Sequence, residues 1–264
     1  MKVKLIAADL DGTLIPEGGK APTEEDFRLI RQLADMGILF AVNSGRPYKT
    51  AHDMFRNVGT DIMFICDNGC NVVYRGRSLY CCKMDREICR RVMADVESFG
   101  RECELIMCTR DHFILIPKSP EIVDILRDKW QLPVKTEASF DDIDEDILKL
   151  SVFMHGGIIP DRIQWLRRKW SGRIKHLAIS GTEWFDLQDG DKGTGMREGA
   201  EKLGIRMDET VAFGDNFNDL EMLDTAGLSY VMSTAPEAVK AHGQRVCPSV
   251  QGVLREVIRR GGEI

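Results

Sequence analysis

The chain has 264 residues, 43% hydrophobic and 30% charged, which is room for one large domain or two modest ones. Its formal net charge is -6 and its Lys and Arg residues are scattered, so no basic stripe for nucleic acid is present. No apolar stretch reaches the roughly 20 residues that span a bilayer, and MKVKLIAADLDG meets carboxylates too soon for a secretory leader, so a cytoplasmic protein is expected.

VKLIAAD (3–9) is short and apolar, as a strand buried on both faces of a parallel sheet would be. PTEEDFRLIRQLADMG follows as a helix, with Thr23 as its cap, Asp26 three residues on, and Phe27, Ile30, Leu33 and Ala34 on one face. ILFAVNSGR (38–46) and DIMFICDNG (61–69) are two further buried strands that run into polar turns. The β-α-β-α-β succession implies right-handed crossovers and a doubly wound, mostly parallel, Rossmann-like α/β sheet.

The texture then changes. DREICRRVMADVESFG (85–100) reads as a helix, CELIMC and HFILIP as strands, and PEIVDILRDKW as a helix. ASFDDIDEDI (138–147) reads as a solvated acidic loop, followed by a strand LKLSVFM, a helix PDRIQWLRRKW, and strands IKHLAI and EWFDL. Strands in pairs between helices suggest a separate α+β layer, placed at 82–185 and inserted into a core of 1–81 and 186–264. Trp130, Trp165, Trp170 and Trp184 are expected in its interior, with Trp184, near Gly181 and Glu183, alternatively facing a cleft. The α/β rhythm resumes with a helix TGMREGAEKLGI, a strand TVAFGD, a helix NDLEMLDTAG, a strand LSYVM, and helices APEAVKAHG and VLREVIRR. The eight cysteines form no C-x-x-C pair, so free, mostly buried thiols are expected rather than disulfides or a zinc site.

Open α/β sheets bind ligands at the carboxyl ends of their strands, and polar clusters fall at such ends here. Asp9 and Asp11 follow the first strand, Ser44-Gly45-Arg46 the second and Asp67-Asn68-Gly69 the third. Asp215-Asn216-Phe217-Asn218-Asp219 follow a late strand, and Lys192 lies just before a helix. Magnesium takes one or two carboxylates, waters and a substrate phosphate in octahedral geometry, which gives closely spaced acids a purpose. Lys192 and the Ser44 hydroxyl supply the charge and hydrogen bonds a phosphate needs, so the implied chemistry is phosphoryl transfer. DLDG and DLQDGDKG do not continue as calcium loops, and GDKGTG lacks the G-K-[ST] of a phosphate-cradling loop.

DLDGT, NSGRP, DKGTGM and GDNFNDLEML resemble, in order, the four motifs of the haloacid dehalogenase-like phosphatases, with the Cof-type branch as the best match. That branch inserts a large α/β cap, the specificity domain, between the second and third motifs. The resemblance implies that Asp9 attacks phosphorus to give an aspartyl-phosphate and that Asp11 protonates the leaving alcohol and then activates water. It further implies Mg²⁺ held by Asp9, the backbone carbonyl of Asp11, and Asp215, with Asp219 in support. Ser44, Gly45, Lys192 and Asn218 are then the phosphate-binding set, and Arg46 either reaches the phosphate or braces its turn. CDNG is similar to the asparagine-glycine turn of the branch, with Asn68 a turn former or a contact. Ser233-Thr234 depart from the Gly-Asn of the branch but remove no catalytic group.

The reading is a Mg²⁺-dependent phosphatase of small phosphorylated metabolites, sugar phosphates first, acting as a monomer or small homo-oligomer without nucleic-acid or membrane partners. A sugar phosphomutase and a non-catalytic phospho-ligand-binding protein are the alternatives. His52, His112, His155 and His176 are taken as ordinary polar residues.

Overall fold

The computed structural model describes residues 1–118, 120–129, 132–180 and 182–264, so the expectations for Trp130 and for the surroundings of Gly181 lie outside the described residues. The chain divides into two compact units, Met1–Cys81 with Asp191–Ile264, and Cys82–Gly190. In chain order the first unit begins with β1 (Leu5–Ala8), α1 (Glu24–Asp35), β2 (Leu39–Asn43), α2 (Tyr48–Met54), β3 (Met63–Cys66), β4 (Asn71–Tyr74) and β5 (Arg77–Cys81). The second unit supplies α3 (Arg86–Ser98), β6 (Cys103–Cys108), β7 (Phe113–Leu115), α4 (Pro120–Asp124), β8 (Val134–Thr136), β9 (Lys149–Met154), α5 (Pro160–Trp170), β10 (His176–Ser180) and β11 (Trp184–Gln188). The first unit resumes with α6 (Lys192–Lys202), β12 (Thr210–Gly214), α7 (Leu220–Thr225), β13 (Leu228–Met232), α8 (Glu237–Lys240), β14 (Arg245–Cys247) and α9 (Val250–Arg259).

The first unit is built on one sheet in the order β14-β13-β12-β1-β2-β3-β4-β5. It is parallel from β14 to β3, and β4 and β5 add an antiparallel edge. Alternation explains the unbroken apolar run of β1. Ile6 and Ala8 join Phe40, Val42, Phe213 and Leu254 on one face, while Leu5 and Ala7 join Ala41, Met63, Met196 and Met222 on the other. Phe40 and Phe213 are at most 1% exposed, and cutting either back to Ala would cost about 3–5 kcal/mol. Helix α1 starts as its sequence predicts: Asp26 N–H donates to Thr23 Oγ1 at 3.3 Å and Thr23 N–H to Asp26 Oδ2 at 2.7 Å.

The hairpin β4–β5 is absent from the sequence reading. Its turn residues Arg75 and Gly76 both have positive φ, 50° and 69°, which matches the right-handed twist of the two strands. The expected helix APEAVKAHG is only the single turn Glu237–Lys240.

The second unit has its own sheet, β10-β11-β9-β6-β7-β8, antiparallel except for β7 with β8. Leu105, Met107, Leu150, Val152, Phe185 and Leu187 on one face pack against Val92 and Val96 of α3 and Ile163, Leu166 and Trp170 of α5. On the other face Ser151 Oγ donates to Asp186 Oδ1 at 2.6 Å, and Lys149 Nζ lies 3.3 Å from Asp186 Oδ2. Trp165 and Trp184 are half-buried. The expected junction at 185 needs correction: it falls inside β11, which pairs with β9 and β10 along its whole length, so this unit runs on to Gly190. The stretch 138–147 is likewise no free loop, because Phe140, Ile143 and Ile147 are buried while Asp141 and Asp142 stay exposed.

None of the eight cysteines is in a disulfide, and Cys81 and Cys82 are the two not buried. Among the described residues, no helix is long and apolar enough to cross a membrane.

Candidate active site

After β5 the chain leaves one side of the first unit's sheet, and β12 re-enters beside β1 on the other side. The crevice between β1 and β12 is therefore the topological switch point, where open α/β sheets receive ligands. Register makes the neighbouring ends level: Ala8 pairs with Phe213 of β12 and with Val42 of β2. Asp9, Gly214-Asp215 and Asn43-Ser44 then leave three adjacent strands at one edge, roughly 4.8 Å apart from strand to strand.

Lys192 joins these acids from the first turn of α6. Its ammonium is wholly buried and donates to Asp9 Oδ1 at 2.5 Å and Asp219 Oδ1 at 2.6 Å. Burial works against its charge, but Asp219 and Asp9 outweigh that and hold Lys192 above the usual lysine range. Burial pushes the Asp9 carboxyl up to about 8; Lys192 opposes the rise, and Asp219 and Asp215 add to it. Asp219 uses its second oxygen on the backbone, accepting from Asp215 N–H at 2.9 Å and Asn216 N–H at 3.0 Å. Asp215 is raised by burial too, opposed by Thr13, whose Oγ1 donates to Asp215 Oδ1 at 2.6 Å. Gly12 makes room for this carboxylate: its φ is +91°, and a Cβ there would lie 2.3 Å from Asp215 Oδ2.

Asp11 stands apart from the acid cluster. Its two carboxylate oxygens accept from Arg46, from Nε at 2.9 Å and from Nη2 at 2.7 Å. Arg46 also feels the Asp9 charge, so the pair borders the cluster. The Ser44 side chain is buried; Oγ accepts from Arg46 N–H at 3.2 Å and keeps its own proton to donate. Gly45 faces the amide of Asn68, which accepts from Asn218 Nδ2 at 3.1 Å.

Two contributors escaped the sequence reading. Thr13 closes the DLDGT turn onto Asp215. Asn43, 0% exposed, donates from Nδ2 to the Lys192 carbonyl at 3.0 Å and so ties β2 to the start of α6. The available signal was an amide ending the apolar run LFAVN, where burial demands a partner.

A divalent cation fits this donor set. Carboxylate oxygens of Asp9, Asp215 and Asp219 lie within 4.8 Å of one another. Three carboxylates against the single Lys192 ammonium leave two uncompensated negative charges when all are ionised. All the ligand atoms are hard oxygens, as Mg²⁺ prefers. The bonds from Lys192 and Thr13 each use one oxygen of Asp9 and of Asp215, whereas both oxygens of Asp219 are engaged.

Known proteins resemble this chain over nearly its whole length. A family model described as haloacid dehalogenase-like hydrolase matches residues 6–254. The chain is 27% identical over 243 residues to the 5-amino-6-(5-phospho-D-ribitylamino)uracil phosphatase YbjI of Escherichia coli K12, covering 91% of this chain and 89% of that one. It is 24% identical to the pyridoxal phosphate phosphatase YbhA of the same organism, with 93% of each chain covered. A crystal structure from Eubacterium rectale superposes with a TM-score of 0.85 at 30% identity, covering 96% of this chain and 98% of that one.

Proposed function

The chain belongs to the haloacid dehalogenase-like hydrolase family and is a phosphoric monoester hydrolase, and we propose that it cleaves small phosphorylated metabolites through an aspartyl-phosphate on Asp9. The observation that carries this reading is Asp9 at the switch point, fixed by buried Lys192 and within one cation's reach of Asp215.

In the first half-reaction an Asp9 oxygen attacks phosphorus, the bond from phosphorus to the leaving oxygen breaks, and Asp11 delivers a proton to that oxygen. In the second, a water attacks phosphorus, Asp11 takes its proton, and the bond to Asp9 breaks to release inorganic phosphate. Lys192 and the Ser44 hydroxyl hold the transferring oxygens, and Arg46 and turn amides add donors. Asp219 positions Lys192 and the Asp215 turn rather than taking part itself. Asp9, the Asp11 carbonyl and Asp215 would hold Mg²⁺, which when bound supplies charge neutralisation for the carboxylates and the phosphoryl oxygens.

The choice of leaving group is assigned to the Cys82–Gly190 unit as a cap. The phospho-ribityl group in the name of the relative YbjI supports sugar and sugar-alcohol phosphates as the substrate class. Eight cysteines outside any disulfide favour a reducing, cytoplasmic setting.

A screen of phosphorylated metabolites with phosphate detection, run on the wild type and Asp9→Asn together, tests the reading. Steady phosphate release by the wild type alone is expected. Isomer formation with little free phosphate would indicate a mutase, and ligand binding without turnover a sensor.

A further inference from the structure

Three successive residues after β3 have left-handed backbone: Asp67 at φ 50°, Asn68 at 51° and Gly69 at 90°. For residues with a Cβ this conformation is unfavourable, and it persists only where surroundings impose it. The surroundings here are the neighbouring catalytic turns. Asp67 N–H donates to the Arg46 carbonyl and Asn68 N–H to the Ser44 carbonyl, each at 3.1 Å. Gly69 lies so close to the start of α6 that a Cβ would come 1.9 Å from the Asp191 carbonyl oxygen.

The Asn68 side chain extends the same contact chain across the site. Its Oδ1 faces Gly45, where a Cβ would meet it at 2.9 Å, and it accepts from Asn218 Nδ2 at 3.1 Å. Asn218 shares one short turn (Phe217–Asp219) with the acid that grips Lys192. Ser44, Asn68, Asn218, Asp219, Lys192 and Asp9 thus form an unbroken chain of contacts. Asn68 is the link between its hydroxyl end and its acid end.

We propose that the Asn68–Asn218 side-chain pair is a clasp that positions the phosphate-binding turn at Ser44 against the acid and lysine cluster. Both are positioning residues, and the inference rests on the phosphatase reading above. The side-chain bond joins two loops, so removing either partner removes the same interaction. A group acting only on the ground-state fit of substrate would alter KM, whereas looser alignment of Ser44 with Asp9 is felt in kcat.

The test measures kcat and KM for p-nitrophenyl phosphate with Mg²⁺ in the wild type, Asn68→Gly, Asn218→Ala and the double variant. Glycine keeps the left-handed backbone available, so the first change removes the side chain alone. Each single variant is expected to lose about three- to tenfold in kcat with KM within about twofold, as for one lost hydrogen bond. The double variant should be no worse than the weaker single one. Multiplicative losses in the double variant, or wild-type kcat in Asn218→Ala, would overturn the clasp. Should Asn68→Gly fail to fold, Asn218→Ala alone decides: a loss in kcat at constant KM supports the clasp, and a change confined to KM contradicts it. A wild type that releases no phosphate from any monoester sinks the phosphatase reading itself; turnover with independent variants sinks the clasp alone.

Discussion

Arg46 grips Asp11 by both carboxylate oxygens at 2.9 Å and 2.7 Å, so the proposed acid–base residue lies under a two-pronged guanidinium. The pair is half open to water, with side-chain exposures of 36% and 55%, and such pairs contribute at most about 1 kcal/mol to stability. A phosphate dianion competes for the same fork. Arg46→Ala should therefore leave the denaturation midpoint nearly unchanged while lowering kcat/KM about tenfold or more. A marked drop in midpoint with normal kcat/KM would make Arg46 a brace of its turn and nothing else.

Lys192 is the buried cation between Asp9 and Asp219. Lys192→Met substitutes an uncharged chain one atom shorter and strands two carboxylates in the interior, which costs about 3–5 kcal/mol against a typical total of about 5–15 kcal/mol. Guanidinium denaturation without added metal should show a much lower midpoint. Asp219→Asn in the same background should recover part of it. An unchanged midpoint would mean that these acids are not held by Lys192.

Gly12→Ala places a Cβ 2.3 Å from Asp215 Oδ2 at a φ of +91°. The carboxylate must move or the turn must open. A displacement of about 1 Å at a catalytic group is worth about a hundredfold in rate, so kcat/KM should fall on that scale while far-UV circular dichroism is retained. Full activity would show that Asp215 need not stay where Thr13 holds it.

The raised Asp9 carboxyl makes cation binding depend on pH. Burial, opposed by Lys192 and reinforced by Asp219 and Asp215, sets its folded value at about 8, above the ordinary carboxylate value of 3.8. Between those values the folded state keeps a proton that the unfolded chain loses, so metal-free stability should fall as pH rises across that window. Cation binding needs the carboxylate, so Mg²⁺ affinity should rise with pH up to about 8, and binding should release protons. Calorimetric titration in two buffers of different ionisation heat measures that release. Equal apparent heats and a flat affinity from pH 6 to 8 would count against Asp9 as a ligand.

The sequence and the fold correspond best where one residue type has one reason to be there. The apolar run of β1 ending in Asp9 and the Thr23–Asp26 cap are such cases, and both are local. What stayed hidden depends on partners far along the chain. Asn43 and Lys192 are 149 positions apart, and Asn68 and Asn218 are 150 apart. Neither spacing carries a period that a linear reading can detect. The β4–β5 edge escaped because Arg75 supplies a left-handed turn residue that its side chain does not advertise. The 185 junction failed because a strand's partners, not its composition, decide which unit owns it.

The proposed mechanism turns on a covalent bond between Asp9 and phosphorus. Acid quench of the wild type during turnover, followed by peptide mass spectrometry, measures it directly. A phosphoryl adduct of about 80 Da, the mass of one phosphoryl group, is expected on the peptide bearing Asp9, and none with Asp9→Asn, which should also release no phosphate. Phosphate release by the wild type without such an adduct, together with turnover by Asp9→Asn, would contradict it.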